Sequence, residues 1–155
     1  MSTHIVKSYD AEFAELDRMT AEMGGRAEKL LAEAFAALER RDPRMAEAVI
    51  ASDAEIDSFE RQIQERAIYM IAKRQPIAND LRHIMTVLKI AGDLERIGDE
   101  AEKIARMAKL LSQKTGLVLP RYQEIKHASE IALDMLRKSL DAFARLDIVM
   151  AAQVV

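Results

Sequence analysis

Six carboxylates fall into two sets of identical spacing: Asp53, Asp57 and Glu60, then Glu95, Asp99 and Glu102, each at i, i+4, i+7. On a helix that spacing stacks three acids along one face over two turns, so each set is a stripe of negative charge. Like charges so placed repel and raise one another's pKa unless cations answer them. An all-oxygen set suits Mg²⁺, Mn²⁺, Ca²⁺ or iron better than copper or a purely structural zinc. The competing reading is a solvated face tied by ordinary helix ion pairs. Arg61 lies four residues after Asp57, Lys103 four after Asp99 and Arg106 four after Glu102, and such pairs are individually weak. On spacing alone the solvated face is the commoner outcome.

The elements that must position these acids read as all α. Ala, Leu, Glu, Arg, Lys and Met dominate, with only five glycines and three prolines to interrupt them. A first helix is expected from about Tyr9 to Arg41, its apolar stripe running through Phe13, Leu16, Met19, Met23, Ala27, Leu30, Ala34 and Leu38. The Gly24–Gly25 pair in its middle costs about 2 kcal/mol of helix propensity, which implies a bend or a close helix crossing. Asp42–Pro43 is an acidic N-cap followed by proline at the first helical position. The second helix runs from there through Met45, Val49, Ile56, Ile63, Ala67, Met70 and Ile71 to Gln75–Pro76, where a tight antiparallel turn opens the third. The third passes through Leu81, Ile84, Leu88, Ala91, Leu94, Ile97, Ala101, Ile104 and Ala108 to about Leu111, with Gly116 marking its exit and a loop ending at Pro120. A fourth follows through Ile125, Ile131, Leu133, Leu136, Leu140 and Phe143. Counted from the Gln75–Pro76 turn at about 1.5 Å per residue, both acid sets lie roughly 30 Å along the bundle, within about one turn of each other. The stripes should therefore face or flank one another. Gly98, at this level, lets a backbone or partner approach closely.

The chain also repeats itself. Residues 27–50 laid on 132–155, an offset of 105, match Ala27 with Ala132, Leu31 with Leu136, Ala37 with Ala142, Arg40 with Arg145, Asp42 with Asp147, Met45 with Met150, Ala46 with Ala151 and Val49 with Val154. The second copy is incomplete, ending before it presents an acidic stripe of its own. Residues 1–116 therefore read as a first bundle and 117–155 as the first helix and a stub of a second. A fourth helix without its partners exposes an apolar stripe, which in water should dock on the first three helices or pair with another chain.

Several function classes are excluded or weakened. With no cysteine in 155 residues, disulfides, thiol nucleophiles and thiolate metal sites are out. The opening MSTHIVKSYDAEFAELDRM has no apolar signal core and the longest apolar runs, such as Ala67 to Ala72, fall far short of a span, so a cytoplasmic protein without membrane insertion is expected. A net charge of −3 with interleaved signs offers no basic stripe for nucleic acid. A ferritin-like di-iron oxidase needs Glu-x-x-His on two helices, and the nearest match is one Asp80-Leu-Arg-His83. His83 reads as a bundle-surface or capped histidine, while His4 and His127 stand alone. Most of the nine methionines fall on apolar stripes and read as core. Lys73, Arg74 and Arg82 cluster at the second turn and read as a solvated end.

The segment Asp93-Leu-Glu-Arg-Ile-Gly-Asp99, continued by Glu100-Ala-Glu-Lys-Ile-Ala105, resembles the signature of the PhoU family, regulators of bacterial phosphate uptake. So do the opening His4-Ile-Val-Lys-Ser-Tyr-Asp10, Met23-Gly-Gly25, Asp53-Ala-Glu-Ile-Asp57 and Gln75-Pro-Ile-Ala-Asn-Asp-Leu-Arg82. The resemblance implies a fold of tandem three-helix bundles and metal-binding motifs of the form Glu or Asp, three residues, Asp. Here those fall on Asp53 with Asp57 and on Glu95 with Asp99, for iron, manganese, magnesium or zinc. Glu60 and Glu102 are additions from spacing alone. It also implies a cytoplasmic homodimer that damps the phosphate-starvation response by binding the ATPase of the phosphate ABC transporter and the phosphate sensor histidine kinase, without catalysis of its own. Lys103 stands where the family usually carries asparagine and Glu100 where it often carries histidine, so an ammonium could replace part of the cation charge. The alternative is a structural helical-bundle interaction domain with no metal site.

Overall fold

Punctuation residues divide the chain where their chemistry demands. The computed structural model describes residues 2–113 and 122–154, with side chains from Asp10 onward. Five helices follow in order: α1 Ser2–Arg40, α2 Pro43–Arg74, α3 Ala78–Ser112, α4 Tyr122–Arg145 and α5 Ile148–Val154. Among the described residues there is no strand, and no helix is long and apolar enough to cross a membrane. Gly116 and Pro120 lie outside the described residues.

The α1–α2 joint is built by Arg41 and Asp42. Arg41 takes a left-handed φ of 50°, and the Asp42 carboxylate accepts from the backbone N–H of Arg44 at 2.8 Å and of Met45 at 3.2 Å. Pro43 then sits where its missing N–H is harmless. The joint recurs at the repeat offset. Leu146 has φ 54°, and Asp147 accepts from the Met150 N–H at 3.0 Å. The Asp147 N–H donates to the Ala142 carbonyl at 2.9 Å, as Asp42 does to Ala37 at 3.1 Å. The same local joint therefore recurs at the two positions that the internal repeat aligns. At the α2–α3 turn Gln75 is the left-handed cap, its N–H donating to the Ile71 carbonyl at 3.0 Å.

Helices α1, α2 and α3 pack mutually around Leu16, Met23, Ile56, Ile63, Met70, Ile84 and Val87, all fully buried. Small residues let the axes approach: Ala27, Ala34, Ala67, Ala91, Ala101 and Ala105 show no exposed surface. Three expectations need correction. The first helix begins at Ser2, not near Tyr9, because no glycine or proline stops it there. Met85, Met107 and Met135 are exposed, so the methionines divide between core and surface. Leu81 and Ile131, read as stripe residues, are also exposed, Leu81 in the first turn of α3 and Ile131 on the outer side of α4.

Helix α4 docks on α1, and α5 folds back on α4. Helix α1 continues unbroken through Gly24–Gly25. A Cβ on Gly24 would lie 2.6 Å from Leu140 Cδ2, whereas one on Gly25 would meet nothing within 4 Å. The close crossing is thus at Gly24, with α4. Lys126 bonds Glu39 at 2.9 Å and Arg137 bonds Glu28 across the same contact. His83 of α3 completes it: Nε2 stands 2.6 Å from Asp17 Oδ1, and the ring packs near Phe13 and Phe143.

Candidate functional site

Helix α2 carries Asp53, Asp57 and Glu60, and α3 carries Glu95, Asp99 and Glu102. All six are half-buried, while neighbouring Glu55, Glu65, Asp93 and Glu100 are exposed. The stripes therefore flank the α2–α3 seam and do not point to open solvent. Two α3 glycines set the register: a Cβ on Gly98 would lie 2.9 Å from Asp53 Oδ1, and one on Gly92 would lie 3.8 Å from Glu60 Oε1. Position 53 thus opposes 98 and position 60 opposes 92, as antiparallel helices require, which sets Asp53 beside Asp99 and Asp57 beside Glu95. The matched height expected from the sequence is realised. Gly92 was missed in the sequence; six residues before Gly98, it falls off the three-, four- and seven-residue steps that mark one helix face, so no periodic signal points to it.

The electrostatics agree with this register. Burial raises the pKa of Asp53 above its ordinary value, with repulsion from Asp57, Glu102 and Asp99 adding to it. Burial likewise raises Glu95, aided by Asp99, Glu60, Asp57 and Asp53. Each set therefore feels the other. Asp53 Oδ1 is also buried without any hydrogen-bond partner, a costly state for a carboxylate oxygen.

Cations bond the acids only at one end. Arg106 donates to Glu102 at 2.5 Å, as the helical spacing predicts. Lys103, by contrast, bonds the exposed Glu100 at 2.8 Å and not Asp99. Among the described residues Arg61 forms no ion pair with Asp57. Gln64 donates to Glu60 Oε1 at 2.8 Å. Among the described residues no cation bonds Asp53, Asp57, Glu95 or Asp99 in the middle of the seam, where Arg106 acts on Asp53 and Lys103 feels Asp99 only through space. Among the described residues no three acids converge closely enough, as their side chains stand, to share one ion. Binding there would need carboxylates to rotate about χ1 or χ2, and the unbonded Asp53 oxygen has no protein contact to give up in doing so. The donor set is oxygen only, which fits a hard divalent cation.

Of the cluster read as a solvated end, only Arg74 departs from that reading. Arg74 donates to both oxygens of Glu12 at 3.0 Å, and Glu12 is buried on α1. Lys73 and Arg82 remain at the surface, Arg82 bonded loosely to Asn79.

Comparison with known proteins places the chain. The PhoU domain model matches residues 20–108. The chain is 42% identical over 141 residues to the phosphate-specific transport system accessory protein PhoU homolog of Rhizobium meliloti, covering 91% of this chain and 59% of that protein. It is 36% identical over 154 residues to the phosphate-specific transport system accessory protein PhoU of Escherichia coli, covering 99% and 63%. The crystal structure of PhoU from Pseudomonas aeruginosa superimposes with a TM-score of 0.90 at 39% identity, over 94% of this chain and 69% of that one. The chain spans about 60% of the length of these curated relatives. With the signature in sequence, the all-helical bundle and the paired acidic stripes in agreement, this chain belongs to the PhoU family.

Proposed function

We propose that this chain acts as a regulator of phosphate uptake by binding, with a divalent cation at the α2–α3 seam. In this reading it lowers phosphate uptake and the phosphate-starvation response from the cytoplasm, as a homodimer that engages the phosphate transporter ATPase and the sensor histidine kinase. The relatives named as accessory to the phosphate-specific transport system support the setting. Asp53, Asp57, Glu95 and Asp99 would hold the cation, iron, manganese, magnesium or zinc, with Glu60 and Glu102 at the edges. The observation that carries the metal reading is Asp53 Oδ1, buried against Gly98 and without a hydrogen-bond donor. A hard cation is the partner such an oxygen lacks. When bound, it would cancel the repulsion across the seam and set the charge of the surface the bundle presents to its partners.

The test is elemental analysis of protein purified without chelator, followed by melting with and without Mn²⁺, Mg²⁺, Fe²⁺ and Zn²⁺. A cation at a hundred times its Kd stabilises by about 2.7 kcal/mol, or about 5–10 °C for a chain of this size. The shift should vanish in Asp53→Asn/Asp99→Asn. A second reading, a structural interaction bundle, is favoured by the Arg106–Glu102 pair and by the lack, among the described residues, of three converging acids. It predicts no bound metal and no shift with any of the four.

A further inference from the structure

The face that carries the acidic seam continues beyond it toward the α2–α3 turn. Asp57, Gln64 and Ile71 follow one another at seven-residue steps on α2, and Glu95, Leu88 and Leu81 do so in reverse on α3. Seven residues is close to two helical turns, so each set keeps to one face. The register at the seam, 53 against 98 and 60 against 92, carried on toward the turn, sets 64 against 88 and 71 against 81. Past the acids this face is apolar. Ile71 and Leu88 are half-buried against the core. Leu81 is exposed, and beside it Ile68 is 63% and Met85 54% exposed. Among the described residues neither α4 nor α5 packs over this face, since α4 lies on α1 and α5 on α4. A continuous apolar patch left open on two helices marks a surface for another molecule.

Charge selects the occupant. Of the six acids at the other end of the face, Glu102 alone is bonded to a cation among the described residues, by Arg106. Lys103 is drawn off to Glu100, and the exposed Arg96 pairs with Asp93 at 3.5 Å. Arg82 and Lys89, next in sequence to Leu81 and Leu88, are exposed at the edge of the apolar half and repel a basic group there. The face is thus acidic at one end and apolar at the other, and a helix with basic residues along one half of a side and apolar residues along the other complements both. A second copy of this chain does not: placed two-fold on this face, it would set acids against acids or against the apolar half. An anionic lipid surface is repelled by the same acids. From the level of Asp57 to that of Ile71 the face runs about 20 Å, so a helix of about 18 residues covers both halves.

We propose that the outer α2–α3 face is the docking site for an amphipathic helix of a partner protein, its basic half over Asp57, Glu95 and Asp99 and its apolar half over Ile68, Leu81 and Met85. This rests on the binding role proposed above and names the surface and the partner chemistry for it, but it needs no bound cation.

The test is a fluorescence-anisotropy titration of the full chain, in EDTA, into a labelled and capped helical peptide of about 18 residues. The peptide carries three leucines in one half and three arginines in the other, all on one side. Binding should saturate with a Kd of about 0.1 mM. Exchanging the arginines for glutamates, or moving the leucines to the opposite side of the peptide helix, should each weaken it about tenfold. Ile68→Gln/Met85→Gln and Asp57→Asn/Asp99→Asn should each weaken it by a similar factor; Ile68 and Met85 are exposed, so the first variant should keep its fold by circular dichroism. Absence of saturable binding, equal binding of either altered peptide, or undiminished binding in either variant would overturn the proposal. So would a dimer of the peptide-free chain, seen by sedimentation, that Ile68→Gln/Met85→Gln dissolves, because the face would then join two copies. Silence with the peptide beside a metal-dependent melting shift would sink this proposal and leave the cation reading standing, while saturable binding without that shift would do the reverse.

Discussion

Gly98→Ala tests whether the seam is as tight as its register implies. Alanine is better than glycine in a helix interior by about 1 kcal/mol, so a helix with room to spare would be stabilised by that amount. Here the new Cβ would stand 2.9 Å from Asp53 Oδ1 and 3.3 Å from Ile56 Cγ2. The carboxylate can swing away, having no hydrogen bond to lose at that oxygen. Ile56 cannot, because it is 1% exposed and locked in the core. Overpacking of this kind costs about 1–3 kcal/mol, so the net effect is a loss of about 1 kcal/mol. Gly25→Ala is the control: its Cβ meets nothing within 4 Å, and it should gain about 1 kcal/mol. The two variants should therefore melt about 4–8 °C apart, measured by calorimetry without added metal. Equal stabilisation of both would refute the close approach of α2 and α3 at this level, and with it the placement of the two acid sets side by side.

Asp53 and Glu95 have raised pKa values, so between the ordinary carboxylate values of 3.8 and 4.5 and their raised values the native state binds more protons than the unfolded one. Their repulsion is then relieved at low pH and felt as pH rises through the raised values; the stability advantage of Asp53→Asn/Glu95→Gln over the parent, read from urea midpoints, should grow from pH 4 to pH 7. Glu12 behaves oppositely, its pKa lowered chiefly by the Arg74 bonds. Its contribution is present above the ordinary value of 4.5 and lost as pH falls through the lowered one, and Glu12→Gln at pH 7 should cost about 2–3 kcal/mol by chemical denaturation. Leu140→Ala removes the side chain seated on Gly24 and should weaken the α1–α4 contact by about 2 kcal/mol. Hydrogen exchange should quicken in α4 and α5 and stay unchanged in the middle of α2 and α3.

Much of this molecule is written in short-range patterns. The caps at Asp42 and Asp147, the breaks at Pro43 and Pro76 and the apolar stripes depend on backbone geometry within a few residues, which residue type controls directly. So does the level of the two acid sets, since helical rise is constant and one turn joins the helices that carry them. Which way the acids face across that turn is a different matter. It depends on how α2 and α3 roll about their axes, and that follows from close contacts such as Ile56 against Gly98, made between residues far apart in sequence. The same distinction separates the ion pairs. Spacing anticipated Arg106 with Glu102, a neighbour one turn away, but not Arg74 with Glu12, brought together by the packing of α1 on α2. The buried Arg66 Nε–H, without a hydrogen-bond partner, is invisible in the sequence for that reason: whether a buried donor is bonded depends on every side chain the fold brings near it, and local pattern reaches only those on its own helix.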